Sequence, residues 1–78
     1  MKTFGDYIGN AQIKEALNLL PQELETEKIM LIGRISNLER RVMLGTIDSK
    51  DENLERNRIV NAAMSLGEEA GLLPKGKT

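Results

Sequence analysis

The chain has 78 residues, enough for one small domain that buries only about 60% of its unfolded surface, so its core must be compact and nearly complete. Hydrophobic residues make up 40% and aromatic residues only 3%, which leaves Leu, Ile, Ala and Met to fill the core and favours helices over strands. The net charge of -1 with 29% charged residues gives a mixed-sign surface, without the basic face of a nucleic-acid binder or a pull toward anionic membrane.

Taken in order, Met1 to Ile8 reads as a short amphipathic turn of helix with Phe4, Tyr7 and Ile8 as its apolar part. Gly9-Asn10 reads as a breaker followed by an N-cap. The first clear helix is expected over Ala11 to Leu20, where Ile13, Ala16, Leu17 and Leu20 fall on one stripe. Pro21 ends it or opens the next element. The second helix is expected from Gln22 to Leu44. Glu23, Glu25 and Glu27 sit near its start, where the helix dipole favours negative charge. Leu24, Leu31, Ile35, Leu38 and Val42 follow a seven-residue spacing, the pattern of a helix packed lengthwise on another. Met30 and Ile32 widen that stripe toward a second neighbour. Gly33 inside the helix costs about 1 kcal/mol against Ala, which close approach of another helix would offset.

The turn is Gly45, Thr46, Ile47 and Asp48. Gly45 suits the left-handed conformation that ends a helix. Ile47 is expected to point back to the core, and Asp48 or Ser49 to cap the next helix. The third helix is expected over Ser49 to Ala70, with an inner stripe of Glu55, Ile59, Ala62 and Leu66 flanked by Ala63 and Ala70. Gly67 is expected to interrupt it and Gly71 to terminate it. Leu72, Leu73 and Pro74 are expected to fold onto the bundle. The architecture this predicts is all-α: a small antiparallel helical bundle of three main helices plus a short N-terminal helical turn. Residues 1–74 form the domain and 75–78 a polar tail.

Charged residues crowd the seam of the two long helices. Counting outward from Gly45, Arg41 lies opposite Glu52, and Glu55 lies one turn from both Arg34 and Arg41. A carboxylate on an apolar stripe is costly to bury alone, and an Arg fork beside it removes that objection. Glu55 is therefore expected to be partly buried and held by Arg34 or Arg41, with Glu39 meeting Arg58. The competing expectation is solvated flank charges worth less than about 1 kcal/mol per pair.

The same stretch carries a family resemblance. Gly33-Arg34, Leu38-Glu39-Arg40, Leu44-Gly45-Thr46-Ile47 and Glu55-Arg56-Asn57-Arg58-Ile59 resemble the signature of a bacterial effector-associated domain, the type numbered eleven. The likeness covers about the C-terminal two thirds of the chain. Ser36 and Asn37 stand where an Asn and a basic residue are usual, and Arg41-Val42-Met43 replaces a more charged run. The resemblance implies a small helical adaptor of death-like fold that associates like with like. Such adaptors connect a sensor or NTPase of a bacterial conflict or immunity system to an effector. It implies protein partners bearing a similar domain, self-association among them. Because the signature residues also set the hairpin, partner choice is expected to rest on variable residues around them. Arg40, Glu52 and Arg56 are the candidate interaction surface.

Chemistry of the chain's own is not expected. There is no Cys and no His, which removes the thiolate nucleophile, the commonest general base and the commonest metal ligand. No catalytic residue, cofactor or small-molecule substrate is predicted. Gly71 to Thr78 fits the phosphate-loop pattern G-x-x-x-x-G-K-[ST] letter for letter, but that loop works between a strand and a following helix, and here a helix precedes it. The start lacks the apolar run of a signal peptide, and no segment has the length of a membrane helix. The expected location is the cytoplasm. The alternative to an adaptor is a stand-alone helical dimer acting as a structural or regulatory module, its second apolar stripe buried across a two-fold axis.

Overall fold

The computed structural model describes residues 2–74. The predicted polar tail and the second half of the phosphate-loop look-alike lie outside them. Helix α1 spans Phe4–Gly9, α2 Ile13–Leu17, α3 Glu25–Leu44 and α4 Ser49–Glu69, with a 3-10 turn over Gln22–Leu24 leading into α3. No strand occurs among the described residues. The all-α prediction holds, with two long helices paired antiparallel and two short ones laid across them. The extents are 36 × 27 × 24 Å, and the 20 residues of α3 and 21 of α4 each rise about 30 Å.

Three of the helices end the same way. At α3, the Gly45 amide donates to the Val42 carbonyl and the Thr46 amide to the Arg41 carbonyl, the paired bonds of a Schellman motif, with Gly45 left-handed at φ 70. At α4, Gly71 and Leu72 do the same toward Glu68 and Gly67. At α1, Ala11 and Gln12 do so toward Ile8 and Tyr7, and Ala11 holds φ 62 without being a glycine. This corrects the expected break at Gly9-Asn10: Gly9 is still helical, Asn10 is the C-cap, and the reversal falls on Ala11.

That reversal also shortens α2. The stretch predicted as one helix over Ala11 to Leu20 is helical only at Ile13–Leu17. Beyond Leu17 the Leu19 and Leu20 amides bond three residues back, to Ala16 and Leu17, and the chain leaves through extended Pro21. The predicted stripe survives the shortening, because Ala16, Leu17 and Leu20 are all buried.

The core consists of Phe4, Ala16, Leu17, Leu20, Leu24, Leu31, Ile35, Leu38, Ile59 and Ala63. Val42, the last of the seven-residue series, runs past the short α2 and stays 39% exposed. Met30 is 65% exposed, so it does not meet the second neighbour expected for it. Gly33 faces open space, so no helix approaches it. Gly67 is where the close approach occurs. It continues α4 rather than interrupting it, and the Phe4 ring packs where its Cβ would stand. Phe4 is held there by a capping box at the start of α1: the Thr3 hydroxyl accepts the Asp6 amide at 3.2 Å, and the Asp6 carboxylate accepts the Thr3 amide at 2.9 Å. Ile47 and Leu73 pack against the core.

Candidate interaction surface

The α3–α4 hairpin positions the charges. Arg41 presents its carbonyl to both the amide and the hydroxyl of Thr46. The Asp48 carboxylate then accepts the Asp51 amide at 2.9 Å and starts α4. With both ends of the turn fixed, the two helices run back side by side, and a shallow groove follows their seam.

Three adjoining stretches make up the groove. The first is lined by Glu27, Met30, Leu31, Arg34, Ala62 and Leu66. The middle stretch takes Arg34 again, with Asn37, Leu38, Arg41 and Glu55. The stretch nearest the turn shares Arg41 and Glu55 with it and adds Ile47, Asp51, Leu54 and Arg58. The groove is mostly apolar toward the start of α3, with Glu27 and Arg34 at its edge, and of mixed charge toward the turn, where Arg41 and Arg58 stand with Asp51 and Glu55.

Within it Arg34 Nη2 donates to Glu55 Oε2 at 3.4 Å, long for a charge-assisted bond. The Glu55 side chain is 27% exposed and that of Arg34 44%. Glu39 does not meet Arg58. It faces the α2 side of α3 and pairs with Lys14 of α2 at 3.0 Å, away from Arg58, which lines the seam with Arg41 and Glu55. Glu52 pairs with Arg56 one turn along α4 at 2.7 Å rather than with Arg41. Among the described residues neither Arg41 nor Arg58 has an ion-pair partner.

The three predicted surface residues are not gathered into one patch. Arg40 lies on the outer side of α3 with Gly33, Ser36 and Asn37. Arg56 lines a separate groove beside Lys14, Glu39 and Val60, on the α2 side. Met30, expected to widen the stripe toward a second neighbour, stands in the seam groove 65% exposed, beside Leu54, which the sequence pattern did not single out and which is 52% exposed. Met30 lies off the seven-residue series and one turn from both Glu27 and Arg34.

Residues 1–71 match the sequence profile described as effector-associated domain 11. The chain belongs to that family. A relative named Roc-COR-CHAT protease, from an unknown prokaryotic organism, is 39% identical, with 83% of this chain aligned to 6% of the relative. The chain thus spans a small fraction of that protein's length. No solved structure matches. Among the signature residues of this effector-associated domain, Leu38 and Ile59 are buried and Gly45 and Thr46 close the turn. Arg34, Glu39, Arg40, Arg56, Asn57 and Arg58 all reach the surface. Among the described residues no cluster of His, Cys, Asp or Glu is placed to hold a metal ion, and no helix is long and apolar enough to cross a membrane.

Proposed function

We propose that this effector-associated domain is a non-enzymatic protein–protein adaptor, coupling a sensor or NTPase to an effector in a bacterial conflict system through contact with a domain of its own kind. The observation that carries the reading is the relative: a domain like this one makes up 6% of a much longer protein whose name ends in a protease. A module of that proportion serves the larger chain by connecting it, and the same module in another chain is its natural counterpart. The surface agrees, since its charges are of mixed sign and several stand without partners, which gives register and specificity more than raw affinity. On this reading residues 1–74 are the domain, the partners are proteins bearing a similar domain, and the site of action is the cytoplasm.

The test is direct binding. Purified chain is titrated by calorimetry with the corresponding domain excised from the protease relative, and with itself. Saturable binding to a domain of the family supports the adaptor. A chain that binds no such domain and stays monomeric at high concentration overturns it. A tight dimer that binds no other domain of the family points instead to a stand-alone dimeric module.

A further inference from the structure

The seam groove carries an acid and a base without ion-pair partners among the described residues, Glu27 and Arg41, at equal distances along α3 from its middle. Glu27 lies at one end and Arg41 toward the other, four turns apart on α3, roughly 21 Å at ~1.5 Å per residue. Arg34, bonded to Glu55, lies half-way between them. On the apolar side, Met30 with Leu66 and Ala62 forms a shallow trough at the Glu27 end, and Leu54 protrudes at the Arg41 end.

We infer that this groove is a self-complementary docking face, and that its occupant is the same face of a second copy of this domain, laid antiparallel across a two-fold axis near Arg34 and Glu55. The inference rests on the adaptor reading above and says which surface carries it. A two-fold axis makes each contact occur twice. It brings Glu27 of each copy opposite Arg41 of the other, and Leu54 of each into the other's trough at Met30 and Leu66. Neither Glu27 nor Arg41 has an ion-pair partner within the described chain, so the pairing breaks nothing already formed. The outer face of α3 also exposes Ile29 and Met43, but it combines them with the cation Arg40, and its acid Glu25 is already taken by Lys28. Two copies meeting there would leave Arg40 without an open acid on the other copy.

Sedimentation of the whole chain tests this with a charge swap. The wild type is expected to stop at a dimer that weakens with salt. Glu27→Arg and Arg41→Glu are each expected to weaken it by at least about tenfold, since each places two like-charge pairs in the interface. Glu27→Arg/Arg41→Glu in one chain restores both pairs and is expected to recover dimerisation, which a variant damaged in folding cannot do. Met30→Asp is expected to abolish it. If the wild type associates with itself or its relatives while all these variants bind unchanged, the adaptor reading stands and this face is wrong. If the double variant is weaker than either single, or association runs on past the dimer, the two-fold arrangement is wrong. If the wild type binds no domain of the family even at about 1 mM, both readings fall together.

Discussion

The Phe4 ring rests directly on the backbone of Gly67, so that a methyl group added at Gly67 would fall 2.5 Å from Phe4 Cε1. Phe4 is 2% exposed, so its ring has nowhere to move. Overpacking of this kind costs about 1–3 kcal/mol, against roughly 1 kcal/mol regained from helix propensity. Gly67→Ala is therefore expected to lower stability, by up to about 2 kcal/mol. At Gly33 nothing lies within 4 Å, and Gly33→Ala is expected to raise stability by about 0.5–1 kcal/mol. Urea unfolding of the two variants gives opposite signs if this packing is right, and equal shifts if it is not.

Ala11 and Gly45 occupy the same position at the ends of different helices, one at φ 62 and the other at φ 70. A left-handed conformation costs a residue with a Cβ about 1–2 kcal/mol. Gly45→Ala is expected to lose about 1 kcal/mol, whereas Ala11→Gly is expected to gain a few tenths to about 1, after the larger unfolded-state entropy of Gly is set against the relief. Thermal melts of the two variants read this out. A destabilised Ala11→Gly would mean that α1 does not end as described.

The Arg34–Glu55 pair spans 3.4 Å between side chains that solvent still reaches. A double-mutant cycle with Arg34→Ala and Glu55→Ala is expected to return a coupling below about 1 kcal/mol, reduced further by salt. A buried charge pair would instead lose about 3–5 kcal/mol when one partner is removed. A value in that range would show Glu55 to be a core carboxylate.

The Asp6 carboxyl is held below its ordinary value of 3.8 first by the Thr3 backbone amide, then by the Thr3 side chain, with the Lys2 charge a lesser cause and slight desolvation opposing. A lowered folded-state value means that the folded chain binds fewer protons than the unfolded chain at acidic pH. The stabilisation is thus fully present above 3.8 and disappears as pH falls through the lowered value. Asp6→Asn is expected to be less stable than the wild type near neutrality, with the gap closing as the pH falls below 3.8. A gap that stays constant through that fall would leave the capping box without this role.

Periodicity was sufficient for the two long helices, their antiparallel pairing and most of the core, because an apolar stripe repeating every third or fourth residue has one place to go in a chain too small for a second layer. Gly45 and Asp48 were legible as a stop and a start because their roles follow from local backbone chemistry. Tertiary structure decided what depends on distance across the fold. Two glycines of identical local appearance, Gly33 and Gly67, differ only in whether Phe4 arrives. Glu39 chose Lys14 over Arg58 because a short helix, α2, crossed its side of α3. The same shortness left the seam groove open beside Met30 and Leu54, since five residues of α2 can cover one face of a hairpin and not both.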